Sequence, residues 1–243
     1  MLSRYLPIFI ILSLIAEVLG TIGGFGSSVF FVPIANFFFD FQSVLGITAL
    51  YHLSSNVSKI AFFKKGIDKK IIFSLGLPAI LFVTIGAYLS QYFNPRVLTY
   101  VLGFFLIVLS LLFLIFKQLK VAPKTKNAII GGSLSGLSAG LLGTGGAIRG
   151  ITLAAFKMNK DKFIATSAVI DLGVDFSRTI IYYLNGYMHK HDLYLVPILI
   201  VVSILGTWMG KKILDKDGKP IPKPVEKDEN GVPTNYAQVI LNG

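Results

Sequence analysis

The sequence contains no cysteine, and only 14% of its 243 residues are charged. The absence of cysteine excludes disulfides, thiolate zinc sites, iron–sulfur clusters and cysteine nucleophiles. A soluble domain carries about a quarter charged residues, so this chain has too few to cover a surface that faces water. Apolar and aromatic residues make up 53% of the chain, and its mean hydropathy is +0.71. The composition therefore indicates an integral membrane protein.

The charge that is present is mainly positive, with 23 lysines and arginines against 12 acidic residues. A basic balance can indicate nucleic-acid binding, but here the basic residues lie in short clusters between long uncharged runs. This distribution is typical of the loops of a membrane protein. We therefore expect the lipid bilayer, and no nucleic acid, as a partner.

Seven apolar runs are long enough to be membrane spans. A helix needs about 20 apolar residues to cross the hydrocarbon core, and the runs lack the alternation of barrel strands. No cleavage pattern follows the first run, so we take it as a permanent span. The predicted spans are Leu6–Phe39, Val44–Phe63, Ile71–Phe93, Val97–Phe116, Ala128–Phe156, Phe163–Leu184 and Leu193–Met209. The sequence thus predicts an all-α polytopic membrane protein.

Two of these runs, Leu6–Phe39 and Ala128–Phe156, are longer than one crossing requires, and glycines interrupt both. Each is either one helix broken at mid-depth or a helix followed by a re-entrant piece. After the last span the character changes, because residues 215–243 hold four prolines and nine charged residues. We expect this polar tail to be disordered.

The basic residues of the loops predict an orientation, because lysine and arginine favour the cytoplasmic side. If the loops alternate between the two sides, the richer side holds Arg4, the Lys64–Lys70 and Lys117–Lys126 clusters and Lys190. The poorer side then holds Arg96, Lys157, Lys160 and Lys162. This count favours a cytoplasmic N-terminus in the cell membrane.

An internal repeat emerges when the chain is aligned with itself at an offset of 119 residues. The offset places Gly24-Phe25-Gly26 over Gly143-Thr144-Gly145. The predicted repeats cover residues 1–116, with four spans, and residues 117–214, with three. Weak internal symmetry of this kind recurs in secondary transporters. Whether the two repeats are parallel or inverted stays open at this point.

The same offset superimposes two sets of polar residues. The sets are His52, Asn56 and Lys59, and Asp171, Asp175 and Arg178. Each has the spacing i, i+4 and i+7, which places its three members on one helix face. Ionisable groups at membrane depth usually face a bundle interior or a watery cavity. We therefore expect both faces to line a polar cavity in the middle of the protein.

The glycine interruptions are the strongest candidates for a substrate site. Glycine lets the backbone leave helical geometry, and a helix that restarts there points free N–H groups and its positive dipole end at a ligand. An anion fits such a place, and Arg149 lies about one turn into the restarted helix. The candidate substrate residues are Gly24, Gly26, Ser27, Gly143, Thr144, Gly145, Gly146 and Arg149. The alternative is that the small residues only allow close helix packing.

Two intramembrane carboxylates, Glu17 and Asp171, are candidates for taking up and releasing a proton during transport. For Glu17 the alternative is a polar contact to another helix. Asp175 is expected to form an ion pair with Arg178, three residues further along the helix. No metal site is expected, since the run from His189 to Asp192 has no partners at helical spacing. No cofactor is expected either, because the glycine runs lack the lysine of a phosphate loop.

The motifs resemble the TauE/SafE sulfite exporter family of membrane permeases. The resemblance covers about residues 6 to 214 and depends on Gly24-Phe25-Gly26-Ser27-Ser28, Gly143-Thr144-Gly145-Gly146 and Ala165-Thr166-Ser167. It implies two related four-helix halves that move sulfur-containing or organic anions across the cytoplasmic membrane. The chain departs from that pattern at Ser27 and Ser28, where the family often has glycine, and in its apparent lack of an eighth span.

The resulting expectation is a secondary transporter of a small anion that works by alternating access and is coupled to protons. The alternative is a membrane component that does not transport, such as an assembly partner or a sensor. An enzyme is not expected, because no nucleophile or metal pair emerges from the sequence. The oligomeric state is left undetermined.

Overall fold

The computed structural model describes residues 2–63, 66–115 and 121–216, and these are helical apart from short connections. The predicted tail therefore lies outside the described residues from Asp217 onward, while its first two residues end the last helix. A π-helical segment, Ile72–Gly76, joins α4 to α5, and a short 3-10 turn, Ser90–Tyr92, follows α5. The helices are α1 (Leu2–Gly23), α2 (Ser28–Ala35), α3 (Phe41–Phe62), α4 (Lys69–Ile71), α5 (Leu77–Leu89), α6 (Pro95–Ile115), α7 (Thr125–Leu142), α8 (Gly146–Ala154), α9 (Lys160–Leu184) and α10 (Leu195–Lys216).

Four stretches of helix are long and apolar enough to cross a membrane, among the residues that the structure describes. The helices α3 and α9 are long enough, but α3 is rich in polar residues and α9 carries charged residues in its middle, so hydropathy alone does not select them. The four stretches are Tyr5–Gly23, Lys69–Tyr92, Pro95–Ile115 and Leu195–Asp215. The all-helical, polytopic class predicted from the sequence is confirmed.

The first glycine-interrupted run folds as a helical hairpin, in which α2 returns along α1. Near the turn, a Cβ on Gly20 would overlap the backbone of Ser27. Further from the turn, the ring of Phe9 lies 5.3 Å from that of Phe38 and 5.2 Å from that of Phe39. The chain therefore comes back toward the end at which α1 starts, which is the re-entrant alternative left open by the sequence.

The second interrupted run folds in the same way. The hydroxyl of Ser135 on α7 donates to the Gly145 carbonyl at 2.8 Å. Further along α8, a Cβ on Gly131 would overlap the side chain of Thr152. The helix α8 therefore returns toward the end at which α7 starts. We refer to these two units as the α1–α2 hairpin and the α7–α8 hairpin.

The two hairpins open toward opposite ends of the helix bundle. The start of α3, after the first hairpin, contacts the loop between α9 and α10, because the Ser43 hydroxyl lies 2.7 Å from His189 Nδ1. The start of α9, after the second hairpin, contacts the loop between α3 and α4, because Lys162 pairs with Asp68 at 2.8 Å. We call these the His189 end and the Lys162 end. In the folded chain the two halves are thus inverted relative to each other.

This arrangement corrects the way in which the sequence analysis assigned basic residues to the two sides of the membrane. The lysines that follow α8, Lys157, Lys160 and Lys162, were expected opposite the Lys64–Lys70 cluster. This is wrong, because Lys162 binds Asp68 beside that cluster. Lys160 also donates to the Leu214 carbonyl at the end of α10. The earlier count treated the long run Ala128–Phe156 as a crossing, whereas the α7–α8 hairpin returns the chain to the end it came from.

Glycines bring the backbones of α5 and α7 into direct contact. A Cβ on Gly132, Gly136 or Gly140 would overlap the carbonyl oxygen of Leu75, Ala79 or Val83, respectively. The three glycines recur every four residues, which places them on one face of α7. In a membrane, such a stripe lets helices approach closely enough for van der Waals packing to stabilise their association. This packing fixes the α7–α8 hairpin against the first half of the protein.

The long polar helices α3 and α9 pack antiparallel at the centre. Asn56 donates to the Asp175 carboxylate at 2.7 Å, and these residues are separated by the repeat offset of 119. Equivalent positions of two inverted repeats meet where the pseudo-two-fold axis passes between them. The two predicted polar faces therefore face each other. Asp40 and Asn159 cap the starts of α3 and α9 by accepting from the backbone N–H groups of Ser43 and Lys162.

The Asp68–Lys162 pair at the Lys162 end gives a testable pH dependence. The Lys162 hydrogen bond holds the pKa of Asp68 below its ordinary value of 3.8, against the opposing effect of burial. The ionised carboxylate therefore stabilises the folded state above about pH 4, and this contribution is lost as the pH falls through the lowered pKa.

We expect Asp68→Asn to lower the stability at pH 7 by at most about 1 kcal/mol, because the pair is partly exposed. The asparagine retains the cap on Ile71, so only the charge changes. Thermal unfolding of the detergent-solubilised protein at pH 7 and pH 3 measures the difference. A deficit of the variant that persists unchanged at pH 3 would contradict the assignment.

Candidate functional site

A small polar cavity lies where the two hairpin tips meet α3 and α9. Its free volume is about 10 Å³, enough for about one water molecule. Both hairpins and both polar helices contribute to its wall. The lining residues are Gly26, Ser28, His52, Asn56, Lys59, Ala139, Gly143, Gly145, Gly146, Arg149, Asp171, Val174, Asp175 and Arg178.

The tip of the α7–α8 hairpin is built from glycines because the chain reverses there in contact with the other hairpin. Gly143 ends α7 with φ of +76°, in the left-handed region that favours glycine. A Cβ on Gly146 would overlap the carbonyl oxygen of Phe25 in the first tip. The helix α8 then begins at Gly146 with no side-chain cap. Its first N–H groups therefore retain donor capacity beside the cavity.

The tip of the α1–α2 hairpin is similar. The short helix α2 also begins without a side-chain cap hydrogen bond, at Ser27. A Cβ on Gly26 would lie 3.8 Å from Arg149 Nη2 and 4.0 Å from Asp171 Oδ2, so this glycine faces their ion pair directly. Two uncapped helix starts thus reach the same small space, and their dipoles favour negative charge there.

Arg149 lies at the junction of the two hairpins and α9. Its Nη2 forms an ion pair with Asp171 Oδ2 at 2.5 Å and also lies 3.4 Å from the Phe25 carbonyl oxygen. Its Nε donates to the Ser167 hydroxyl at 3.2 Å. The guanidinium is 3% exposed and its partner carboxylate 13%. Arg149 is therefore held in place by neutral acceptors on two elements, and its charge is balanced by one carboxylate.

Asp175 has two donors, Asn56 from α3 and Arg178 from its own helix. The expected ion pair between Asp175 and Arg178 is present at 2.7 Å. Arg178 Nη1 donates to the carbonyl oxygens of Ala139 and Gly143 at the end of α7. Its buried Nε has no hydrogen-bond partner among the described residues. The lining of the cavity thus includes a guanidinium with an unused donor.

Glu17 on α1 is completely buried and surrounded by donors. Lys59 forms an ion pair with it at 2.7 Å. Four hydroxyls donate to the same carboxylate, from Thr21, Ser27, Ser55 and Thr207. Because Ser27 donates to Glu17, its oxygen is left to accept from His52 Nε2, which lies 3.2 Å away. Glu17 therefore links α1, the first hairpin tip, α3 and α10 through its oxygens.

The structure brings most of the sequence-predicted residues together around the cavity. The exceptions are Gly24, which packs on Phe163, and Glu17, Ser27 and Thr144, which lie behind the lining. Thr144 donates to Ser28 across the two tips at 3.3 Å. The hydroxyls that saturate Glu17 and the Ser167 acceptor of Arg149 were not assigned from the sequence as contacts. Ser27 was a candidate residue and Ser167 belongs to a motif of the resemblance, but Thr21, Ser55 and Thr207 gave no signal, because serine and threonine are frequent in membrane helices.

Among the described residues, the group of histidine and aspartate side chains with metal-ligand spacing is His189, His191 and Asp192. It lies at the His189 end, outside the cavity, where Ser43 contacts both His189 and Asp192. The cavity itself offers paired charges and glycine backbone.

The architecture defines a polytopic membrane protein whose charged core lies between two re-entrant hairpins, an arrangement typical of transporters. The family model described as Sulfite exporter TauE/SafE matches residues 9–222. The chain therefore belongs to the TauE/SafE sulfite exporter family. Neither the curated proteins nor the solved structures contain a match to it. Membership implies a membrane transporter of sulfur-containing anions such as sulfite, and not an enzyme.

Proposed function

We propose that this chain carries a small oxyanion of the sulfite or sulfonate class across the cell membrane and couples its movement to a proton. The observation that carries the proposal is the Arg149–Asp171 ion pair, which lines a small cavity beside uncapped helix starts. A transported anion needs a cation that binds it and then releases it. Arg149 can do both if its charge alternates between the anion and Asp171.

The lining supports an anion as the ligand for three separate reasons. The starts of α2 and α8 carry free N–H groups and a partial positive charge. Arg149 presents the planar donors that match an oxyanion. Arg178 adds an Nε–H that finds no acceptor among the described residues. An oxyanion accepts from all of these groups at once.

Proton coupling follows from the competition for Arg149. When Asp171 is ionised, its carboxylate occupies the guanidinium, and a second anion at the same place is repelled. When Asp171 takes up a proton, the guanidinium is free for the substrate. The charge of Asp171 also interacts with the nearby charges of Lys59, Arg178 and Asp175. Anion and proton are therefore expected to bind together and to be released together.

Asp171 suits the role of proton carrier better than Glu17 does. Glu17 is 0% exposed and has five donors, whereas Asp171 is 13% exposed and borders the cavity. Protonating Glu17 breaks the Lys59 ion pair and leaves a buried ammonium, which is costly. We assign Glu17 to holding α1, α3 and α10 together.

Transport by alternating access is supported by the inverted hairpins. Each hairpin tip borders the cavity, and each hairpin opens toward a different end of the bundle. The free space of about 10 Å³ holds about one water molecule, so the cavity must widen before an oxyanion can enter. A small displacement of one hairpin opens the cavity toward one end, and a displacement of the other opens it toward the opposite end.

We propose that the Lys162 end faces the cytoplasm, which reverses the orientation expected from the sequence. In the fold, the described basic residues of the His189 end are Arg4, Arg96 and Lys190. The described lysines of the Lys162 end are Lys69, Lys70, Lys124, Lys126, Lys157, Lys160, Lys162, Lys211, Lys212 and Lys216. The excess of lysine favours this end as the cytoplasmic one, with the N-terminus on the outside.

The test is transport by Arg149→Gln in proteoliposomes. We expect uptake of labelled sulfite to fall at least tenfold, because the substrate loses its principal cation. Arg149→Lys retains the charge but not the planar fork, so it should keep part of the activity. Arg96→Gln is the matched control, since Arg96 is exposed at the His189 end.

Size-exclusion chromatography and thermal unfolding of each variant establish that it is folded. Wild-type uptake by a folded Arg149→Gln would contradict the assignment of the site. Absence of anion transport by the unaltered protein would favour an assembly partner or sensor instead.

A further inference from the structure

We propose that the His189 end holds a binding site for a divalent transition-metal ion of the Zn²⁺ class, formed by His189, His191 and Asp192. The ligand atoms of these three side chains lie within 4.8 Å of one another. The three residues belong to the loop between α9 and α10. Two imidazoles and a carboxylate are a ligand set that zinc uses where it keeps a further position for water.

The distances within the group match ligands better than hydrogen-bond partners. Asp192 Oδ1 lies 3.5 Å from His191 Nε2, and the ligand atoms of all three side chains lie within 4.8 Å of one another. These separations are too long for good hydrogen bonds. With metal–ligand bonds of about 2.0–2.1 Å, tetrahedral geometry places neighbouring ligand atoms about 3.3 Å apart. Small side-chain movements therefore bring all three onto one ion.

The Ser43 hydroxyl provides a second, independent observation. Its oxygen lies 2.7 Å from each of three atoms: Asp40 Oδ2, Asp192 Oδ2 and His189 Nδ1. A hydroxyl donates one proton. If His189 Nδ1–H donates to Ser43, His189 binds the ion through Nε2, and two carboxylate oxygens still compete for the one hydroxyl proton of Ser43. One of the two carboxylates, Asp40 or Asp192, therefore receives no hydrogen bond from Ser43. A cation bound by Asp192 removes this competition, because the hydroxyl proton is then left for Asp40.

The burial of the ligands suits an ion that enters from the aqueous side. The Asp192 side chain is 5% exposed and forms the base of the group, whereas those of His189 and His191 are 37% and 76% exposed. The two imidazole rings lie nearly parallel, with 7° between their planes and 5.3 Å between their centroids. Water can complete the coordination on the open side.

A bound ion would join parts of the chain that are distant in sequence. Asp192 and His189 contact Ser43 at the start of α3, and Ser43 is in turn held by the helix cap Asp40. These contacts lie behind the proposed metal ligands. They orient His189 and Asp192, as outer-shell partners of metal ligands usually do. No metal was expected from the sequence, because the run from His189 to Asp192 has no partners at helical spacing. The supporting residues Asp40 and Ser43 lie almost 150 positions away from it.

The test measures Zn²⁺ and Co²⁺ binding by the purified full chain after removal of metal with a chelator. We expect one ion per chain, with a visible Co²⁺ absorption spectrum of tetrahedral type. His191→Ala should weaken Zn²⁺ binding at least tenfold, and because His191 is exposed this variant should fold normally. Lys190→Ala is the matched control in the same loop and should change the affinity less than twofold.

A second variant, Asp192→Asn, tests the buried ligand and should also weaken binding at least tenfold. Absence of stoichiometric Zn²⁺ binding by the unaltered protein overturns the proposal, and so does equal binding by His191→Ala. Tighter binding of Ca²⁺ than of Zn²⁺ would overturn the assigned metal class. These readouts do not involve anion transport, so they are independent of the function proposed for the cavity.

Discussion

Replacing Asp171 by asparagine is expected to separate anion binding from proton binding. The amide resembles the protonated carboxyl in size and neutrality, and it no longer neutralises Arg149. We expect the variant to bind the anion with an affinity that does not change between pH 5 and pH 8. In the unaltered protein the affinity should rise at least tenfold as the pH falls, because protonation of Asp171 frees the guanidinium.

The coupling can be measured directly in proteoliposomes that contain a pH-sensitive dye. Anion uptake by the unaltered protein should carry protons in the same direction, and Asp171→Asn should lose this proton movement. Exchange of labelled for unlabelled anion should persist, since exchange needs no net protonation change. Methanesulfonate, which stays ionised throughout this pH range, separates titration of the protein from titration of sulfite.

Asp215→Asn serves as the control, because Asp215 is exposed at the end of α10 and pairs only with Lys211 among the described residues. Its pH dependence and proton movement should equal those of the unaltered protein. If Asp171→Asn still moves protons with the anion, another group carries them. Glu17 would then be the next candidate for the proton carrier, although five donors already surround its carboxylate.

Replacing Gly136 by alanine is expected to cause the largest loss of stability. The added Cβ would overlap the carbonyl oxygen of Ala79, which belongs to the backbone of α5 and has no rotamer to change. The helices α5 and α7 must therefore separate. Overpacking of this kind typically costs about 1–3 kcal/mol, and we expect a value at the upper end because two backbones are in contact.

The measurement is the yield of monodisperse protein in detergent together with its apparent melting temperature. Gly103→Ala is the matched control, since Gly103 lies in the helix α6 and nothing lies within 4 Å of a Cβ placed there. Alanine is the better helix former, so the control should be unchanged or slightly more stable. Equal melting temperatures for both variants would contradict the close packing of α5 on α7.

The polar triplets show what helical periodicity can and cannot predict in this protein. Spacing alone placed His52, Asn56 and Lys59 on one face of a helix. It also placed Asp175 one turn before Arg178, and the ion pair between them is present. Spacing gave no information about which side chains meet across helices. The contact of Asn56 with Asp175 depends on antiparallel packing of α3 and α9.

Arg149 shows what the sequence analysis missed, which is the carboxylate that pairs with it. The glycines before it predicted a restarted helix, and its position one turn into that helix indicated an anion site. Its partner Asp171 is 22 residues away on another helix, and no pattern linked the two. The ion pair changes the chemistry that we propose for the site, in which Arg149 becomes available to a substrate when Asp171 is protonated.

The sequence by itself determined the membrane environment, the helical class and the positions of both interruptions, because these follow from composition and local backbone preference. Only the tertiary structure decided that each interrupted run turns back along itself, which end each loop occupies, and which carboxylate neutralises which cation. Those features depend on contacts between residues far apart in the chain. Hydropathy and helical spacing describe one segment at a time, so they carry no information about such contacts.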